Sequence, residues 1–320
     1  MRAETLILSS AVASMAAIAA AGANITIQTV TVGDVGNVAA THAPLSGAVN
    51  YQYSIGKYEV TNAQYTAFLN AKAATDAYGL YNTDMAGTFG GITRSGLSGS
   101  YTYSTVSGRE NWAVNYVSFW DAARFSNWLQ NGQGNGDTET GTYTLTASGI
   151  TNNTVTRNPG STWAIASQDE WYKAAYYKGG GLNAGYWLYP TQSDSITTAM
   201  ANYDNSVGTI TSVGSYASSS SSYGAFDMGG NVWEWHDTII YSVYNYGSDA
   251  YRTVWGGSFD NNVYSLRADL PPAAPIGNPT FELNAFGFRV SQIQIPGPSS
   301  IALLAIAGLG ARGRRRGVGR

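Results

Sequence analysis

Two carboxylates, Asp227 and Glu234, flank the turn Gly229-Gly230-Asn231 within a stretch of eight residues. Hard oxygen donors gathered over so short a span suit calcium, which accepts backbone carbonyls as readily as carboxylates. Gly230 permits the close backbone approach that such a turn needs. The remaining chemistry is sparse. Cysteine is absent, which excludes disulfides, zinc–thiolate sites, iron–sulfur clusters and thiol nucleophiles together. Only two histidines occur: His236, beside Trp235, reads as a surface or partly buried core residue, and His42, in the loop from Thr41 to Pro44, as a solvated one. Asp169 and Glu170 adjoin, but in the first turn of a helix, where capping and the macrodipole account for them. No glycine-rich phosphate loop follows a strand, and there is no G-x-S-x-G elbow. Nothing in these residues demands an enzyme.

The elements that must hold them can be read from caps and periodicity. Thr61 with Gln64 opens a helix over Asn62 to Lys72, with Tyr65, Phe68 and Leu69 on one face. Ser118 with Asp121 opens a second over Phe119 to Gln130, and Ser167 with Glu170 a third over Gln168 to Lys178, stopped by Gly179 to Gly181. Short alternating runs, Tyr101 to Thr105 and Thr142 to Thr146, predict brief strands. Stretches rich in Gly, Ser, Thr and Asn, among them Ser218 to Ser222, predict surface loops. The balance is α+β with much irregular structure. Length alone allows about two domains of roughly 150 residues, but residues 24–295 hold no internal repeat and no dividing linker, so one domain is expected there.

Charged residues are 12% of the 320, about half the usual share, so polarity must come from Ser, Thr, Asn and Tyr. The formal charge of -3 offers no basic patch for nucleic acid. The chain ends differ from the middle. Arg2 precedes an uncharged apolar run from Leu6 to Ala20 and the small residues Ala21-Gly22-Ala23, the pattern of a secretory signal over residues 1–23. Residues 296–320 run from Pro296-Gly297-Pro298 through an apolar stretch, Ile301 to Ala311, into an arginine cluster. Eleven residues make only about 16 Å of helix, too short for a stable span. This order resembles the PEP-CTERM sorting tail of Gram-negative bacteria, with Gly297 where that motif carries Glu. The resemblance implies an exosortase-type sorting partner, transient membrane contact through the tail, and export to the cell surface, outer envelope or matrix. Without these ends, 11 basic and 19 acidic residues remain of the 17 and 20, a clearly acidic domain of charge -8.

Six segments in order resemble the sulfatase-modifying factor family, the formylglycine-generating enzyme domain. They are Lys57-Tyr58-Glu59-Val60-Thr61-Asn62-Ala63-Gln64-Tyr65, Asn115 to Ala123, Trp163 to Trp171, Gly230-Asn231-Val232-Trp233-Glu234-Trp235, Gly256-Gly257-Ser258-Phe259 and Gly287-Phe288-Arg289. The resemblance implies an irregular fold related to that of C-type lectins. It also implies a calcium site at Asp227, the carbonyls of Gly230 and Val232, and Glu234, the alternative being that Glu234 pairs with an arginine or backbone N–H groups. A second family site would begin at Asn202 and Tyr203 and be closed by Asp204 or Asn205.

The family's enzymes hold copper(I) between two thiolates, a soft metal on soft ligands. Counting forward from Gly256-Gly257-Ser258, those two positions fall on Asn261 and Leu266, and neither forms a thiolate. The family's oxygen-pocket serine and tryptophan fall on Ser258 and Trp233. Copper and the oxidase reaction are therefore not expected. The old substrate groove is expected near Trp233, Asn261, Asn262, Arg267 and Arg289, with a glycan or peptide as possible ligand; for Trp233 and Arg289, holding the core is the competing role. The leading expectation is an exported, non-catalytic, calcium-stabilised module for binding or structure. The alternative is an enzyme on the same scaffold with non-thiol chemistry, which would require carboxylates converging in a solvent-filled cleft. A groove lined by Tyr, Asn and Trp would favour binding.

Overall fold

The computed structural model describes residues 24–42, 44–241, 250–270 and 276–293. The expected signal segment (1–23) and sorting tail (296–320) lie outside the described residues. Local capping sets the helix starts. In α1 (Asn62–Lys72), the Thr61 hydroxyl accepts from the Gln64 N–H at 3.3 Å and the Gln64 carboxamide accepts from the Thr61 N–H at 3.0 Å. The same reciprocal box opens α2 (Phe119–Gln130) at Ser118 and Asp121. A short helix, α3 (Ala147–Thr151), follows Thr146, and α4 (Gln168–Tyr176) opens on Ser167 and Glu170. All three predicted helices therefore exist, but α4 ends two residues before Lys178. Tyr177 leaves helical backbone to bridge Tyr186, and the Lys178 N–H donates to Gly185. Long-range pairing overrides local propensity there.

Among the described residues, ten short strands form three sheets. The first comprises β1 (Thr29–Val32) and β2 (Tyr53–Gly56), near the start, with β5 (Trp163–Ile165) and β10 (Val290–Ile293), in the order β1-β2-β10-β5, all antiparallel. It ties the two ends of the domain together. The hairpin of β3 (Ile92–Ser95) and β4 (Thr102–Thr105) realises the strand expected from Tyr101. The third sheet holds β6 (Trp233–Tyr241), β7 (Ala250–Trp255), β8 (Ile276–Gly277) and β9 (Phe286–Gly287), in the order β8-β7-β6-β9, with β6 and β9 parallel. The strand predicted over Thr142 to Thr146 does not form: it gives only a bridge between Tyr143 and Arg157. The Asn127 carboxamide takes up the Tyr143 backbone instead, accepting its N–H at 2.7 Å and donating to its carbonyl at 2.9 Å.

The main core lies where α1 meets α2, around Tyr65, Phe68, Phe125, Trp128 and Phe288. A second cluster packs α4 against β7 and β2 through Trp171, Tyr172, Tyr176, Trp255 and Tyr53. Residues 218–222 form a loop as expected, but Ser219 and Ser221 are buried in it. Among the described residues no helix is long and apolar enough to cross a membrane.

Candidate functional site

The turn ahead of β6 is made of residues in left-handed backbone: Asp227 (φ 55°), Gly230 (φ 81°) and Asn231 (φ 61°). At Gly230 the reason is steric, since a Cβ there would stand 2.2 Å from the Asn202 carbonyl oxygen. The turn is fastened by the Gly230 N–H to the Gly256 carbonyl (2.9 Å) and the Asn231 N–H to the Asn202 carbonyl (2.8 Å). It delivers Glu234 into the interior beside Arg289. The Arg289 guanidinium grips Glu234 in a fork, Nε to Oε2 and Nη2 to Oε1, both at 2.6 Å, and also donates to the carbonyls of Gly56 and Phe226. Trp171 Nε1 donates to Glu234 Oε2 at 2.7 Å.

Two more carboxylates share that one guanidinium. Glu59, from the segment before α1, accepts from Asn231 Nδ2 at 2.8 Å through Oε1, while its Oε2 lies 4.0 Å from Arg289 Nη2 and has no hydrogen-bond partner. Asp227 accepts from the Gly214 N–H at 2.5 Å. Burial, with Asp227 nearby, holds the Glu59 carboxyl well above its usual range. Burial likewise pushes Asp227 up to about 6, against the pull of the Gly214 N–H and Arg289. Three acids around one base leave the cluster short of positive charge whenever all three ionise. Glu59 also lines a cleft of about 400 Å³ with Tyr58, Gln64, Asn111, Ser212 and Val213.

The second expected oxygen site lies next to this cluster. Asn202 donates through Nδ2 to the Thr209 carbonyl (2.9 Å), which fixes its amide and leaves Oδ1 buried with no partner. Tyr203 is buried beside it, and Asp204 and Asn205 take left-handed backbone while donating to the carbonyls of Asn261 and Phe259. Among the described residues no group of three or more His, Asp or Glu side chains is arranged as a metal cage. A cation here would depend on amide and backbone oxygens as well as carboxylates. An orphaned buried oxygen at Asn202, another at Glu59 and the charge shortfall beside Arg289 all fit a hard cation.

At Asn261 and Leu266, where the resemblance places the family's thiols, both side chains have structural roles. Asn261 Oδ1 accepts from the Ser258 N–H (3.1 Å) and lies 2.6 Å from Ser258 Oγ, closing a turn whose return bond runs from the Asn261 N–H to the Ser258 carbonyl. Leu266 is fully buried in a cluster with Tyr189, Ala201 and Tyr203.

The five residues expected along one groove have separate roles. Arg289 is fully buried on Glu234 and lies away from solvent, where a guanidinium needs the fixed acceptors it has there. Trp233 is half-buried in β6, opposite Phe286 of β9, against the main core. Asn262 caps the 3-10 turn Val263–Leu266. Arg267 pairs in a fork with Asp269 at 2.7 and 2.6 Å and lines an open cleft of about 330 Å³ with Tyr264 and Leu270. His236 is fully buried rather than at the surface. Its ring packs on Trp171 with centroids 5.3 Å apart, and burial, with Arg289, lowers it to about 3. His42 is exposed.

Sequence reasoning missed a second buried ion network. Glu170 caps α4 as expected, and Arg157 also forks onto it at 2.9 and 2.7 Å while its Nε donates to Asp237. Burial alone would raise the Glu170 carboxyl, but Arg157 and the Ser167 N–H bring it below its ordinary value. Arg157 sits in a polar loop with no local pattern to announce it.

The fold is that of a mixed α/β, C-type-lectin-like domain. Residues 16–292 match the family model described as the sulfatase-modifying factor enzyme 1-like domain, and the protein belongs to that family. Among solved structures, CarF is 25% identical, with 84% of this chain and 99% of that chain covered and a TM-score of 0.51. Treponema denticola variable protein 1 is 17% identical, with 85% and 97% covered and a TM-score of 0.55, a likeness of fold. No curated protein matches the sequence.

Proposed function

We propose that this chain is a non-catalytic member of its family: an exported, calcium-stabilised module that acts in binding or structure at the bacterial surface or in the extracellular matrix. The observation that carries the non-catalytic reading is the fate of the two copper positions. One holds an amide that closes a turn, the other a buried leucine, and the chain has no cysteine to supply a thiolate elsewhere. The family's copper(I) chemistry has no thiolate to work through.

Calcium is proposed at Asp227 with the carbonyls of Gly230 and Val232, and at Asn202 with Tyr203; Glu234, the fourth ligand the resemblance implies, is instead held by Arg289 and Trp171. The unpartnered oxygens of Asn202 and Glu59 and the three acids around Arg289 support it. The ion would neutralise buried charge and tie the turn before β6 to the Asn202 loop. Export rests on the two terminal segments, with an exosortase-type partner for the tail.

A different reaction on the same scaffold finds little support in the carboxylates: Glu170, Asp237 and Glu234 are each committed to an arginine, and Glu59 is alone in its cleft. The test is to incubate the purified full-length chain with copper and a sulfatase-type cysteine peptide. No loss of mass corresponding to formylglycine is expected, and a formyl product would overturn the proposal.

A further inference from the structure

We infer that the open groove of about 600 Å³ between the end of α3, the start of β7 and the loop after β8 binds a neutral oligosaccharide. This deepens the binding reading above, rests on it, and names the class of ligand. The groove walls are Asn152, Asn153, Tyr251, Asn278, Pro279 and Thr280, with Ile150, Thr151 and Ala250 between them, and none carries a charge near neutral pH. The volume lies in the range of small-molecule sites.

The amides are set in advance by bonds within the protein. Asn153 is 4% exposed, in left-handed backbone (φ 49°), and its Oδ1 accepts from Arg252 Nε at 2.7 Å. That bond fixes the carboxamide and leaves Nδ2, a buried donor in the groove wall, with no partner. An unpaired buried donor is destabilising, and a ligand oxygen would satisfy it. Asn278 Oδ1 accepts from the Thr280 N–H (3.1 Å) and hydroxyl (2.8 Å), which directs its Nδ2 elsewhere as a donor. Asn152 Nδ2 donates to the Ser148 carbonyl at 2.9 Å, so its Oδ1 is the acceptor turned to solvent. Two donors, one acceptor and the Tyr251 ring match the hydroxyls and C–H face of a sugar.

Among the described residues of the groove wall, an anionic sugar has no cation to meet. Arg252 lies behind the wall, committed to Asn153 and to the carbonyls of Asp237 and Val155. A peptide added as a strand needs a free sheet edge. β8 is the edge strand here, but it has two residues and Pro279 follows shortly after.

The test is calorimetric titration of the full-length chain, with calcium present, against cellohexaose, maltohexaose, xylohexaose, hexagalacturonate and a Gly/Ser/Asn-rich peptide. At least one neutral hexasaccharide should bind, and hexagalacturonate should not. Asn153→Asp keeps the acceptor for Arg252 and deletes the donor; Tyr251→Ala removes the ring. Each should weaken sugar binding at least tenfold, with thermal melts checking that both variants remain folded. The inference is overturned by the absence of neutral-sugar binding or by binding that both variants leave unchanged. Binding of the peptide alone would also overturn it, while leaving the broader binding reading intact.

Discussion

Arg289 Nε lies 2.6 Å from Glu234 Oε2, and neither side chain is exposed. The pair joins β6 to the entry of β10 across 55 residues of chain, and the same guanidinium reaches back to the Gly56 carbonyl at the end of β2. It therefore couples two sheets that share no ladder. Glu59, buried, and Asp227, half-buried, lean on the same positive charge.

Removing only one partner of such a pair strands the other. Arg289→Met should lower stability by about 3–5 kcal/mol, the range for breaking a buried ion pair, and more if Glu59 and Asp227 stay ionised. Glu234→Met in the same chain should recover part of the loss, because it removes the stranded carboxylate. Urea midpoints of the two single variants and the double variant give the coupling directly. Additive losses would show that the fork contributes nothing specific.

Calcium should raise the melting temperature and EDTA should lower it, because the ion binds only the folded chain. A hundredfold excess over Kd is worth about 2.7 kcal/mol, which at about 2–4 °C per kcal/mol is a shift of several degrees. Asn202→Leu removes the unpartnered Oδ1 with little change in volume. It should abolish or shrink the calcium increment, whatever it does to stability in EDTA. Identical melting curves with and without chelator, and no metal by elemental analysis, would exclude calcium.

Asp121 gives a pH dependence of defined sign. Burial pushes its carboxyl up to about 7, although Ser118 donates to it from both N–H and hydroxyl. A raised pKa means the folded state holds the proton more tightly than the unfolded chain. The contribution is then complete below about 4 and is lost as pH rises through 7. Three units correspond to about 4 kcal/mol at most. Asp121→Asn keeps an oxygen for the cap and cannot ionise, so its stability should rise relative to the parent between pH 4 and 8. Parallel pH–stability curves for the two proteins would show that Asp121 titrates normally.

What was legible in the sequence was what is local. Each capping box spans four residues, so Thr61, Ser118 and Ser167 announced their helices without knowledge of the fold. The glycine turn before β6 was equally visible, and the missing thiols follow from a count. The partners were not. Whether Glu234 meets a cation or Arg289 depends on a strand pairing far along the chain, and nothing near Arg157 indicates that it lies between Glu170 and Asp237. Thr142 to Thr146 has the alternation of a strand, but Asn127 from α2 occupies the Tyr143 backbone. The amide groove escaped notice because Asn153, Tyr251 and Asn278 are ordinary polar residues until the fold brings them together.

Leu266 bears on whether its position could carry a thiol. It is fully buried, and a Cβ added to Gly257 would stand 2.9 Å from its Cδ1, so the backbone of the Gly256-Gly257 turn packs directly on the leucine side chain. Leu266→Ala should lower stability by about 2–5 kcal/mol, the range for a buried leucine whose cavity cannot collapse. Asn261→Ala, which loses only the acceptor for the Ser258 N–H and hydroxyl, should cost about 1 kcal/mol. Restoring both thiols as Asn261→Cys with Leu266→Cys should therefore yield a less stable protein. Guanidinium unfolding of the four chains tests the order parent, Asn261→Ala, Leu266→Ala, from most to least stable, with the double cysteine chain below the parent. A double cysteine chain as stable as the parent would mean that Leu266 is interchangeable with a thiol, and that packing does not fix the residue at that position.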